Sequence, residues 1–201
     1  MRVEKLRDLI ARLHALPRRR LTLLVAVDGT AGAGKTTFTR ALVALDPGLD
    51  VIQMDDFGLP GAERDQAPAA DRAAAGLDWR RLRSGVLLPL SRDQPARYQR
   101  YDPATGALAE WRMVPVGGIV IVEGRYACVK ALATFYDFRI WVDSPRQLRA
   151  DRLAASGAGV DWLAAEETYV AAQDPAGAAH LRVDGSGTIP HDPAREYVRL
   201  R

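Results

Sequence analysis

Residues 29–36 read Gly-Thr-Ala-Gly-Ala-Gly-Lys-Thr, and no other stretch constrains the chain as tightly. The segment fits G-x-x-x-x-G-K-[ST] at every fixed position. Leu23-Leu24-Val25-Ala26-Val27 precedes it and has the apolar, partly β-branched character of a buried strand. Thr37 to Val43 follows with helical spacing. Strand, glycine-rich loop and helix are the setting in which this motif carries a mechanism. Its glycines let successive N–H groups turn inward toward an anion, and the helix directs its positive end to the same point. The loop Gly29, Thr30, Ala31, Gly32, Ala33, Gly34, Lys35, Thr36 and Thr37 is therefore expected to hold the phosphates of ATP. Lys35 would reach the β- and γ-phosphates, and the Thr36 hydroxyl would bind Mg²⁺.

The rest of the chain reads as alternating strands and helices. An amphipathic helix is expected over 1–17, from Val3, Leu6, Leu9, Ile10, Leu13 and Leu16, ending at Pro17. His14 lies beside its apolar stripe and reads as structural. Further strands are expected at 51–54, 119–122, 138–142 and 181–183. Helices are expected at 36–45, 78–84, 128–135, about 145–155, with Ser144 as cap, and 161–172. Residues 58–76 read as a loop with a short helix near 68–75, and 86–115 as an irregular or hairpin insertion. The alternation implies one α/β domain over 1–201, with a parallel sheet covered by helices on both faces. Ligands of such sheets bind beyond the carboxyl ends of the strands. Those ends carry the glycine-rich loop, Asp55, Glu123 and Asp143, which topology alone should bring to one edge.

Composition excludes several classes. The chain has 201 residues, 48% of them hydrophobic, so it is long enough for a proper core. No apolar run approaches the roughly 18 residues of a membrane span, and the charged N-terminal residues do not resemble a signal peptide. With one cysteine, Cys128, a cytoplasmic location is expected. The net charge of +3 is dispersed. Arg18-Arg19-Arg20 reads as a solvated linker, and no nucleic-acid partner is expected. No lysine follows an asparagine, so the guanine-reading Asn-Lys-x-Asp signature is missing.

The acidic and basic residues at the expected edge suit phosphoryl transfer. A hydroxyl acceptor needs a carboxylate to orient it and take its proton. Asp55 is the candidate base, and Glu123 the candidate metal-side carboxylate beside Thr36. Asp56 and Asp143 are weaker candidates. Arg146, Arg149 and Arg152 share a helix face at three-residue spacing, either as a solvated basic face or as a lid that neutralises the phosphoryl group.

In these elements the chain resembles the uridine kinase-like branch of P-loop kinases, which includes phosphoribulokinase and bacterial pantothenate kinase. The resemblance covers about 22–185. It rests on Val25 to Gly29 with the loop, Asp55-Asp56-Phe57, Gly76-Leu77-Asp78-Trp79 with Leu82, Tyr101-Asp102, Glu123-Gly124, Asp143 with Arg149 and Arg152, and Ala179 to Gly185. It implies a three-layer P-loop NTPase fold with a five-stranded parallel sheet, a substrate-side insertion over about 58–115 and a lid over about 146–160. It further implies an ATP- and Mg²⁺-dependent phosphotransferase with an alcohol acceptor. Asp55, Lys35, Arg149 and Arg152 would be catalytic, and Asp78, Tyr101 and Arg125 would contact the acceptor. Where the family has a further lid arginine, another arginine such as Arg125 or Arg97 would substitute. Uridine kinases place a base-reading histidine after the Tyr-Asp pair, yet Pro103 to Ala109 holds none, and the lid continues into Ser156-Gly157-Ala158-Gly159. The acceptor thus stays open between the 5′-hydroxyl of uridine or cytidine and another small alcohol. An ATP-binding regulator without transfer is the alternative, and a homo-oligomer is left open.

Overall fold

In a computed structural model the described residues are 1–60, 76–157 and 162–200, with backbone only for 162–164. The helix expected near 68–75 and the end of the lid lie outside them.

The strand carrying the glycine-rich loop is central. It is β2 (Leu23–Asp28), hydrogen-bonded in parallel to β6 (Ile119–Glu123) on one side and β7 (Phe138–Asp143) on the other. β3 (Leu49–Gln53) extends the sheet beyond β6, and β8 (Leu181–Asp184) extends it beyond β7, again in parallel. These are the five parallel strands expected. Two more join antiparallel past β8: β9 (Glu196–Arg199) and then β1 (Arg2–Lys5), making seven. The N-terminal helix α1 accordingly spans only Leu6–His14. Arg2 to Lys5 follows the sheet because β9 offers it an open edge, a partner 190 residues away that local periodicity does not encode.

β2 and β6 are apolar up to their terminal Asp28 and Glu123 because the sheet is covered on both faces. Leu23, Val25 and Val27 join Leu6, Leu9 and Leu13 of α1 and Phe38 and Leu42 of α2 (Lys35–Leu45). Leu24 and Ala26 face the opposite core with Phe57, Leu82, Leu87, Tyr98 and Tyr169. That second layer includes a 3₁₀ turn at Met54–Phe57, the short helices α3 (Trp79–Leu82) and α4 (Leu88–Leu90) joined by a π-helical turn, and the hairpin β4 (Ala96–Asp102) and β5 (Ala107–Val114). The insertion thus contains a regular hairpin.

Two local expectations shift. Residues 128–135 form turns ending in a 3₁₀ turn at Ala133–Phe135 rather than a helix. α5 (Arg146–Ala155) has Pro145, not Ser144, at its cap position, with no side-chain cap, and the Pro145 carbonyl accepts from Arg149 N–H. The last helix, α6 (Trp162–Gln173), leads back toward the sheet. Arg18 and Arg20 donate to backbone carbonyls, and Arg20 also pairs with Asp137 at 2.9 Å, so this part of the arginine run staples the entry to β2. His14 pairs with Asp46 at 2.7 Å. Among the described residues no helix is long and apolar enough to cross a membrane.

Candidate active site

The five parallel strands end at Gln53, Glu123, Asp28, Asp143 and Asp184, so one sheet edge collects carboxylates around the glycine-rich loop. The loop is clamped from both sides. Gly32 (φ +73°) packs under the backbone of α5, where a Cβ would stand 2.9 Å from the Arg149 carbonyl oxygen. Gly185 packs on the loop itself, where a Cβ would overlap the Ala33 carbonyl oxygen. The N–H of Ala33 returns to Thr30 O, while those of Gly32 and Gly34 find no protein acceptor among the described residues, leaving donors for an anion.

Lys35 is buried and donates to Gly29 O at 2.8 Å and Thr30 O at 3.0 Å. Burial pushes its pKa down, while Asp28, Glu123 and Glu166 oppose that shift. Thr36 opens α2 and donates through its hydroxyl to Glu123 Oε1 at 3.2 Å. Glu123 is 2% exposed, and burial raises its pKa against the pull of Lys35. Its Oε2 is buried without a hydrogen-bond partner among the described residues. A hydroxyl beside a carboxylate with one oxygen unspent is a donor set that fits a small hard cation. No cluster of three acidic, histidine or cysteine side chains among the described residues could hold a metal by itself. A cation here would therefore complete its shell with phosphate and water oxygens.

Asp55 lies at the rim, its side chain 82% exposed, with Arg125 Nη2 3.9 Å from Oδ1. The neighbouring Asp56 turns inward and accepts from the Tyr98 hydroxyl at 2.8 Å. The two adjacent acids therefore divide: one is open to solvent, the other anchors the hairpin. The Tyr101 ring lies against Gly58 in the segment that follows. Asp78 caps α3, accepting from Arg81 N–H at 3.0 Å. Any contact of Asp78 with an acceptor would share the carboxylate with this cap. Arg81 ties the wall together by donating to Gln99 O and Gly58 O, each at 3.0 Å, and to Asp56 O at 3.3 Å.

The arginines of α5 differ in environment. Arg146 is exposed and pairs with Glu167 at 2.7 Å. Arg149 is buried; its Nε donates to Ser144 O at 3.1 Å and its Nη1 has no hydrogen-bond partner among the described residues. Arg152 donates to Gly32 O, Gly185 O and Ser186 O, each at 2.9 Å, and so bridges the loop to the chain after β8. Asp143 is occupied by Arg182 at 2.8 Å.

A cleft of about 480 Å³ opens beside the loop, lined by Lys35 to Phe38, Arg152, Asp184, Gly185, His191 and Tyr197. Asp55, Glu123 and Arg125 are not among its lining residues. The loop thus separates a roomy cleft on the β8–β9 side from the carboxylates on the β3–β6 side.

Two solved structures share this fold across most of their length. A candidate uridine kinase from Bacillus stearothermophilus superposes with a TM-score of 0.70 and 20% identity, covering 88% of this chain and 96% of that one. A candidate fructose transport system kinase from Silicibacter gives 0.60 and 22%, covering 87% and 92%. The shared fold is the three-layer α/β fold of P-loop NTPases. No family profile matches the chain. Among curated proteins, two Arabidopsis thaliana chains named inorganic pyrophosphatase, TTM2 and TTM1, are 30% and 29% identical over 128 and 126 residues. Each alignment covers 60% of this chain and 18% of the relative, so the chain matches less than a fifth of those proteins' length.

Within this fold, four features escaped the sequence reading. Asp28, fully buried at the end of β2, accepts from Gly29 N–H, Cys128 N–H and the Tyr169 hydroxyl at 2.7, 2.8 and 2.7 Å. Glu166 accepts from the loop's Ala31 N–H. Arg81 ties the acceptor-side wall, and the β8–β9 connection lines the large cleft. Only Asp28 had a signal, a charge closing an apolar strand. The others depend on contacts between distant segments.

Proposed function

We propose that this chain is an ATP-dependent small-molecule kinase that moves the γ-phosphoryl group to a hydroxyl. The observation that carries the reading is the Thr36–Glu123 pair, with its unspent carboxylate oxygen, set between a loop of inward amides and the exposed Asp55. In this reading the loop amides and Lys35 take the β- and γ-phosphates, Lys35 leaving the Gly29 and Thr30 carbonyls to do so. The large cleft receives the nucleoside end of ATP, and Arg152 keeps its two walls together. Mg²⁺ would be held by Thr36 and Glu123, directly or through water, and would neutralise charge on the phosphates.

On the other side Asp55 orients the acceptor hydroxyl and takes its proton. The acceptor oxygen bonds to the γ-phosphorus as the bond from that phosphorus to the β–γ bridging oxygen breaks, and ADP leaves. Arg125 and Arg149 stand where charge gathers on the transferring group. Asp78 and Tyr101 form the acceptor wall with the hairpin. The acceptor is a small alcohol; the 5′-hydroxyl of uridine or cytidine and a non-nucleoside alcohol are its two chemical classes.

The test is ADP release from ATP·Mg²⁺ against nucleosides, sugars and pantothenate-like alcohols, with Lys35→Ala as blank. Pyrophosphate belongs in the panel because two relatives are named for its hydrolysis. Stimulation by one alcohol, abolished by Asp55→Ala, supports the reading. ADP release that no alcohol stimulates, or turnover by Asp55→Ala near wild type, refutes it.

A further inference from the structure

Glu166 is an acidic side chain, 2% exposed, and belongs to none of the roles assigned above. Both its oxygens accept from Ala31 N–H, at 3.0 and 2.9 Å. Oε1 lies 3.8 Å from Arg125 Nη1 and Oε2 lies 3.8 Å from Arg149 Nη1. One carboxylate therefore sits between the tip of the phosphate loop and two guanidiniums that come from different elements. A carboxylate so buried is costly unless paired, and here its partners are one amide and cations on two sides.

The helix that carries it is fixed in rotation. Glu166, Tyr169 and Gln173 fall on one face of α6 at i, i+3 and i+7. Tyr169 donates to the buried Asp28 at 2.7 Å, and Gln173 accepts from Lys130 N–H at 2.8 Å. Glu166 is thus placed from below by two contacts that do not involve the loop. The second observation is the Arg149 Nη1 donor, buried and without a hydrogen-bond partner among the described residues although Glu166 stands 3.8 Å away. An ion pair holds this guanidinium in place but leaves a buried N–H for another anion.

We propose that Glu166 is a positioning residue for phosphoryl transfer: it pins the loop tip through Ala31 and sets Arg125 and Arg149 on the terminal phosphate of ATP. This rests on the kinase reading and adds a third carboxylate, with a role unlike those of Asp55 and Glu123. The placing of the two guanidiniums is felt by a γ-phosphate and not by ADP.

The experiment compares binding of the Mg²⁺ complexes of ADP and of a non-hydrolysable ATP analogue to the full chain, by calorimetry, for wild type, Glu166→Gln and Glu166→Asp. Gln keeps an acceptor for Ala31 and loses the charge; Asp keeps the charge and withdraws it by one methylene. Thermal melting identifies the variants that fold. A misplaced guanidinium forfeits a charge-assisted bond, so the preference for the triphosphate over ADP should fall about tenfold or more in Glu166→Gln. It should fall less in Glu166→Asp, with ADP affinity kept in Glu166→Gln, which retains the acceptor for Ala31. An unchanged preference in whichever variant folds overturns the proposal. So does a raised preference, because the carboxylate would then be a competitor of the phosphate. Wild type binding neither nucleotide would overturn the kinase reading and this role with it, whereas wild-type binding with an unchanged preference removes only the role of Glu166.

Discussion

Gly185 follows β8, where the chain meets the phosphate loop, and Gly185→Ala tests whether that contact shapes the nucleotide site. An alanine Cβ there would overlap the Ala33 carbonyl oxygen and stand 2.8 Å from Val142 Cγ1 and 3.0 Å from the Ala33 carbonyl carbon. The obstacle is backbone at the heart of the loop, so relief requires the loop or the β8–β9 connection to move. Overpacking of this kind costs about 1–3 kcal/mol, which in a chain of this size lowers Tm by roughly 2–12 °C. The moved segment also carries the Arg152 contacts to Gly32, Gly185 and Ser186, so ADP·Mg²⁺ binding should weaken with stability. Gly106 supplies the contrast. It turns the β4–β5 hairpin at φ +67° with nothing within 4 Å of a built Cβ. Gly106→Ala costs about 1 kcal/mol of backbone strain, offset by about 0.4–1 kcal/mol from a less flexible unfolded chain. Its net change should stay within about 1 kcal/mol and leave nucleotide affinity alone. Urea midpoints and calorimetric titration with ADP·Mg²⁺ measure both quantities. If Gly185→Ala is no less stable than Gly106→Ala and binds ADP as wild type does, the argument from close approach is wrong.

Glu123→Gln should raise the Mg²⁺ concentration needed for half-maximal ADP release several-fold while leaving Tm nearly unchanged, since Gln can still accept from Thr36; a Mg²⁺ titration at fixed ATP decides it. Tyr169→Phe removes one of three donors to the buried Asp28 and should cost about 1–3 kcal/mol by urea unfolding, and a loss under 0.5 kcal/mol would show that Asp28 does not need that donor. Glu4 joins β1 to β9 by accepting from Tyr197 at 2.6 Å, and that bond, aided by Arg199, holds its pKa below 4.5. A lowered folded value means its stabilisation is present above the ordinary glutamate pKa and is lost as pH falls through the folded one. Stability of Glu4→Gln should therefore fall less steeply than wild type in the acid range below about pH 4.5, as urea midpoints at a series of pH values would register.

Much of this architecture was legible because the signals were local. The alternation of apolar strands and helices implied a doubly covered parallel sheet, and its five parallel strands are those expected. The charges closing those strands implied a shared edge, and Asp55, Glu123 and the loop do meet there. Asp55 and Asp56 could not be told apart by type or position, and only burial separates them. The motif points to Asp78 as an acceptor contact, and the structure adds a second use of its carboxylate, the cap of α3, that the motif does not record. Arg146, Arg149 and Arg152 have one spacing and three environments, because spacing sets only the face and the neighbouring chain sets the partners.

The sequence by itself determined the phosphate loop, since glycine placement, lysine and threonine act within one strand-turn-helix unit. It also placed Glu123 and Asp143 at the ends of their strands, because a strand's end is a local change from apolar to polar, whereas Asp55 lies two residues past the end of β3 in a 3₁₀ turn. Tertiary structure alone decided that Arg2 to Lys5 is a strand, that Gly185 must be small, and that Glu166 sits between Ala31, Arg125 and Arg149. Each of these depends on segments far apart in the chain being brought within a few ångströms, and no periodicity along the chain records such a meeting.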